Sequence, residues 1–260
     1  MDLSNALDTV ATVITKPKHM NSPLIREMKA NGAEVWSDRH IRASYEGLKT
    51  LVPGNKFKDM RSLYGKHPGE TVFVCGSGPS LAKAPTKFPG PTFAINRAIT
   101  YVNADYWCFS DMLPSTRHGA HENAKAAAWA FASCMHVYFK DTPGYLIEAN
   151  ANPKSYQNEA VRPLYFNGAT FSWALHWAMK TGAKRVILVG CDFSVGPHFD
   201  GTPMLDTGDM QSRIVAEVAR LRMDDMFGPD RDQWFDPSVE LLDASEGYLP
   251  IPKTRLEDWL

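Results

Sequence analysis

The chain holds 260 residues, of which 44% are hydrophobic, 22% charged and 11% aromatic, a composition that excludes a disordered, collagen-like or coiled-coil chain. The formal net charge of −1 argues against a large basic face for nucleic acid. No run of 18 or more apolar residues offers a membrane span, and the first 30 residues lack the apolar core of an export signal, so the expected location is cytoplasmic. Residues 1–66 carry an excess of four basic residues, which reads as a solvated surface, although it permits a polyanion partner. Cys75, Cys108, Cys134 and Cys191 show no CxxC spacing; they read as reduced thiols and not as a zinc site.

Residues 1–66 read as an N-terminal helical extension. A helix can start over residues 2–7 and stop at Pro17; Ser22-Pro23 with Glu27 resembles a second start; residues 44–51 form a short helical stretch ended by Pro53-Gly54. Residues 67–260 read as the larger domain. Short β-branched and aromatic runs occupy 71–75, 92–95 and 106–109, with further runs at 136–139 and 163–165. Residues 170–180 place Phe171, Ala174, Leu175, Ala178 and Met179 at helical spacing, and Gly182 stands where a helix stop belongs. Residues 185–190 form a continuous apolar run typical of a buried parallel strand. A helix over 208–226 and a last strand over 239–242 follow. The alternation predicts an α/β fold: a Rossmann-like, mostly parallel sheet flanked by helices.

Ligands of such sheets sit beyond the carboxyl ends of the strands. Five clusters fall there: Gly76-Ser77-Gly78-Pro79-Ser80, Asn96-Arg97, Ser110-Asp111, Gly168-Ala169-Thr170, and the stretch from Asp192 to His198. The first is a strand running into glycines and a helix start, which suits a phosphate. It is neither a Walker A loop, since no GK[ST] follows, nor a dinucleotide fingerprint, since Leu81 stands at the third glycine position. Asn96 can hydrogen-bond a base or ribose. Asp111, with Asp105 as a weaker candidate, can bind a metal or a sugar hydroxyl. Asp192 either contacts ligand or braces the Gly76 turn. A polar lid is expected near 194–209, with His198 as a general base. His176 reads as a packed helix residue, and His118 with His121 as a weak metal pair.

The segment Val72-Phe73-Val74-Cys75-Gly76-Ser77-Gly78-Pro79-Ser80-Leu81 resembles the opening motif of the bacterial sialyltransferases of glycosyltransferase family 42. It is also similar to the family that includes archaeal 6-hydroxymethyl-7,8-dihydropterin pyrophosphokinases and many phage members. Residues 93–97, Ala104-Asp105-Tyr106 with Ser110-Asp111, residues 168–193 and residues 242–252 are similar to the later motifs, in order. The resemblance covers roughly 70–255, implies a phage or bacterial member, and does not choose among the activities.

What it implies first is a metal-independent glycosyltransferase taking a sugar from a CMP- or UDP-linked donor to a hydroxyl acceptor. Gly76, Ser77, Gly78, Ser80, Gly168, Thr170 and Asp192 would line the donor, Asn96 would hold the nucleotide, and His198 and Asp111 would be catalytic. Ser77 stands where the sialyltransferases have Asn, and the lid lacks their tyrosine pair, which Arg213 would replace. A second expectation is a pyrophosphokinase using Mg²⁺ on Asp111 and Asp192, with Asp105 as a weaker ligand. A third is a nucleotide-binding adaptor without catalysis. A homo-oligomer is compatible with each.

Overall fold

The computed structural model describes residues 12–15, 34–37, 57–109, 124–129, 144–147, 149–150, 164–165, 167, 169–193, 197–202, 221, 223–224, 226–229, 231–233 and 235–260. The chain divides into two units, Met1–Asn55 and Lys56–Leu260. In the first, β1 (Thr12–Thr15) and β2 (Glu34–Ser37) pair in parallel. Helix was expected here. Thr-Val-Ile-Thr is β-branched throughout, and stiffness at χ1 favours the extended chain. The expected helical stretches at 2–7, 22–27 and 44–51 lie outside the described residues.

The second unit is built on one sheet. Its strands in chain order are β3 (Phe57–Asp59), β4 (Thr71–Cys75), β5 (Thr92–Ile95), β6 (Ala104–Phe109), β7 (Ala124–Trp129) and β8 (Gly144–Leu146). A two-stranded parallel pair follows, β9 (Ala149–Asn150) with β10 (Leu164–Tyr165), then helix α1 (Thr170–Lys180), and the main sheet resumes with β11 (Arg185–Val189) and β12 (Glu240–Asp243). Across the main sheet the order is β12-β11-β4-β5-β6-β7-β8-β3, and every pairing is parallel. β3 therefore removes residues 57–59 from the expected N-terminal extension and places them on a sheet edge.

The strands expected at 71–75, 92–95, 106–109, 185–190 and 239–242 are present, as is the helix over 170–180. Of the helix expected over 208–226, Leu221, Met223, Asp224 and Met226 are helical, and Phe227 extends it. The strand expected at 136–139 lies outside the described residues.

Both faces of the central strands are buried, which is why their sequences are apolar without alternation. Val72, Val74, Phe93, Val186 and Leu188 face α1 with Trp173 and Trp177. Phe73, Cys75, Ala94, Trp107, Ile187 and Val189 face a second layer with Leu81, Ile99 and Val102. Helix α1 is buried from Phe171 to Met179, so its apolar residues run round the whole helix. The Trp177 indole N–H donates to the Met60 carbonyl at 3.1 Å, and His176 Nδ1 accepts the Tyr165 N–H at 2.8 Å. His176 is thus a satisfied core residue.

Cys75, Cys108 and Cys191 are free and buried, and burial pushes all three thiols well up, out of the reactive range. Among the described residues no helix is long and apolar enough to cross a membrane.

Candidate functional site

Strand order fixes where a site can form. From β4 the chain steps outward through β5 and β6; β11 then pairs with the opposite side of β4. The direction of winding reverses between β4 and β11, and a crevice is expected beyond the carboxyl ends of those strands. Residues 76–80 leave β4 there, Asn96 and Arg97 leave β5, and Cys191, Asp192 and Phe193 follow β11.

Most of the Gly76-Ser77-Gly78-Pro79-Ser80 turn is committed to the protein. The Gly76 N–H donates to the Val189 carbonyl at 2.8 Å and the Gly78 N–H to the Gly190 carbonyl at 2.7 Å. A Cβ on Gly78 would lie 2.7 Å from the Gly190 carbonyl oxygen and overlap the Asp192 carboxylate. The glycine is there for the approach of two chain segments. A 3-10 turn follows over Pro79–Lys83 in place of the expected helix. Its N-terminal donors serve Asp192: the Ser80 N–H reaches Oδ2 at 2.9 Å and the Ser80 hydroxyl reaches Oδ1 at 2.7 Å.

Asp192, buried at 2% exposure, also accepts the N–H groups of Glu246 at 2.9 Å and Gly247 at 3.1 Å. Between the two roles open to it, Asp192 braces. Ser80 is likewise turned inward, toward Asp192. Asp105 accepts the Thr92 N–H at 2.9 Å. Thr92 begins β5, which places Asp105 at the amino edge of the sheet, away from this crevice.

The turn after β12 completes the brace. Asp243, fully buried, accepts the Ser245 N–H and the Lys253 ammonium. The same ammonium donates to the carbonyls of Ser245 at 3.0 Å and Gly247 at 2.6 Å, and the Ser245 hydroxyl accepts the Cys191 N–H at 2.8 Å.

What remains at the crevice is a smaller set. Ser77 is half-buried; its hydroxyl donates to the Ile95 carbonyl at 3.1 Å. Among the described residues no acceptor meets the Ser77 N–H. Asn96 has a φ of 49°, a left-handed conformation that Asn tolerates better than most residues. Its carbonyl accepts the Trp107 indole N–H at 2.8 Å, while its side-chain Oδ1 is buried without a partner. Phe193 has a φ of 47°, costly for a bulky residue, and its ring meets Phe171 at 5.0 Å. Strain at two strand ends and an orphaned buried oxygen are marks of a ligand site. Thr170 is the first residue of α1, one residue before Phe171.

Residues 197–202 fold over this edge. His198 Nδ1 lies 3.2 Å from the Ser77 carbonyl, which also accepts the Phe199 N–H at 3.1 Å. Arg97 Nε donates to Asp200 Oδ2 at 2.7 Å, and the Phe199 and Tyr101 rings stand 5.3 Å apart. Since a carbonyl only accepts, Nδ1 carries a proton, and in the neutral ring Nε2 is the basic nitrogen.

Burial pushes the Asp200 carboxyl up, but the Thr202 hydroxyl and N–H and the Arg97 guanidinium outweigh it and hold it at about 2. A carboxyl whose pKa lies below its unfolded value stabilises the fold above that unfolded value, and loses this as pH falls through the folded one. The Phe199 amide should therefore keep its hydrogen-exchange protection between pH 8 and about pH 4. A loss of protection near pH 6 would mean that another group holds the loop.

Of the expected site residues, the structure brings Gly76, Ser77, Gly78, Ser80, Asn96, Asp192 and His198 to one edge. Asp111, Gly168, Arg213, His118 and His121 lie outside the described residues, as do the remaining parts of the expected lid, 194–196 and 203–209. Among the described residues no group of three or more metal-ligating side chains forms. Compared with known proteins, the chain matches no family model and no curated protein.

Proposed function

We propose that the chain is a glycosyltransferase of Rossmann-like architecture that takes a sugar from a nucleotide-linked donor in the cytoplasm. The observation that carries the reading is the seat of His198: held by Nδ1 on the Ser77 carbonyl, it offers Nε2 as base beside the glycine-rich turn. A general base so fixed removes the acceptor hydroxyl's proton as the oxygen attacks the donor sugar, and the nucleotide leaves with the bonding pair. Asn96, with its orphaned Oδ1, accepts a hydrogen bond from a ribose hydroxyl or a base amine. The reading asks no cofactor of the protein. The alternative Mg²⁺-dependent pyrophosphokinase loses support at Asp192, whose oxygens already accept four donors.

A thermal-shift panel of CMP, CDP, UDP, GDP and ATP, each with and without Mg²⁺, tests the reading. A ligand at about 100 times its Kd adds about 2.7 kcal/mol. Stabilisation by a cytidine or uridine nucleotide without metal supports glycosyl transfer; stabilisation by ATP with Mg²⁺ alone turns the choice to pyrophosphokinase. With the donor class in hand, His198→Gln should keep the shift and lose about a hundredfold or more in turnover. Unchanged turnover removes His198 from the chemistry.

A further inference from the structure

Among the described residues, the reading above has not yet assigned a counterpart to the donor's phosphate charge. The turn that should cradle it has few donors to spare: the N–H groups of Gly76, Gly78 and Ser80 all have protein acceptors, and Pro79 has none to give. The Ser77 N–H is what remains. Neutralising a phosphate at this edge falls to a side chain.

Lys253, Lys83 and Arg185 can be compared with Arg97. Lys253 is committed to Asp243, Ser245 and Gly247. Lys83 pairs with Glu246 and stands 70% exposed in solvent. Arg185 begins β11, at the opposite edge of the sheet, and pairs with Glu240. Arg97 differs from these. It leaves the carboxyl end of β5 directly after Asn96, and its side chain is 29% exposed. A planar guanidinium suits phosphate oxygens in paired contacts. What it holds here is a carboxylate, carried on the same loop that seats His198.

We infer that Arg97 is the chain's phosphate-recognising guanidinium, and that the Asp200 carboxylate is an internal anion which a ligand phosphate displaces. The orphaned Asn96 Oδ1 on the preceding residue and the open Ser77 N–H across the turn mark the same edge as incomplete without a ligand. Exchange of one anion for another frees Asp200 and loosens its turn at Thr202, while His198 keeps its seat on the Ser77 carbonyl. The inference deepens the transfer reading by assigning its phosphate contact, but its test needs no sugar.

The experiment titrates inorganic pyrophosphate into the full chain, following binding by calorimetry and exchange of the Thr202 amide by mass spectrometry. Removing the competitor while keeping the guanidinium should tighten binding: Asp200→Asn is expected to lower the pyrophosphate Kd by about three- to fivefold, the scale of a partly exposed ion pair. Arg97→Gln should lose measurable binding, and Arg97→Lys should restore part of it, which separates a lost contact from a lost fold. In the natural chain pyrophosphate should speed exchange at Thr202, whose N–H is held by Asp200. A structural ion pair gives the opposite sign, since Asp200→Asn would then loosen the loop and weaken binding. Weaker or unchanged binding in Asp200→Asn, binding retained in Arg97→Gln, or no binding by any form overturns the assignment. If pyrophosphate behaves as stated while no nucleotide sugar is turned over, the assignment stands and the transfer reading falls.

Discussion

Replacing Asp192 with alanine is expected to lower the unfolding free energy by about 3–5 kcal/mol, a loss read from the urea midpoint at unchanged slope. The size follows from what the carboxylate does. It accepts four hydrogen bonds, from the N–H and hydroxyl of Ser80 and the N–H groups of Glu246 and Gly247, at a site with 2% exposure. Alanine leaves these donors without their acceptor in a place that water enters poorly, and each unsatisfied buried donor costs about 1–3 kcal/mol. Partial hydration of the vacated space keeps the total below the simple sum. A loss below about 1 kcal/mol would show that the two turns hold without their shared anchor.

Gly247→Ala should come close to this, at about 3 kcal/mol, the upper end of the cost of overpacking. A Cβ at this position would overlap the Asp192 backbone carbonyl. Backbone cannot rotate aside as a flexible side chain can. The turn over 245–247 would have to withdraw, taking its N–H groups from Asp192 and its carbonyls from Lys253. Loss should therefore appear both in stability and in hydrogen-exchange protection at Glu246. A melting temperature within a degree of the natural chain's would show that the turn has room the geometry denies.

Neither residue's task is written in the local sequence. Asp192 follows a strong strand and so marks itself as important, yet the choice between ligand and brace depends on Ser80 and Gly247, both far along the chain. Gly247 lies in a Ser-Glu-Gly stretch that reads as an ordinary turn. The central strands were legible because burial on both faces leaves them apolar without interruption, and α1 because its apolar positions recur at helical spacing between Thr170 and a stop at Gly182. The segment Ala124–Trp129 shows the limit of such reading. Ala-Lys-Ala-Ala-Ala-Trp has a helical propensity, yet it lies as a strand between β6 and β8, where pairing on both sides outweighs the preference of the residues themselves. The candidate site was legible in its residues and not in their allegiance. Asn96, Ser77 and His198 were expected together. The sequence gives Arg97 no role of its own, because its partner Asp200 sits in a loop whose position only the fold supplies.

The strand order also sets a timetable for synthesis. β4 pairs with β5 early, but its other neighbour is β11, with Thr71 opposite Arg185. At about 5–20 residues per second, a ribosome leaves that side of β4 uncovered for several seconds. During the interval Val72 and Val74 border a row of unpaired amides and carbonyls, the arrangement that invites a foreign strand. The nascent chain is thus most exposed to misassociation at its own centre. The crevice between β4 and β11 cannot exist before the second half of the protein has emerged, so it forms in one late step.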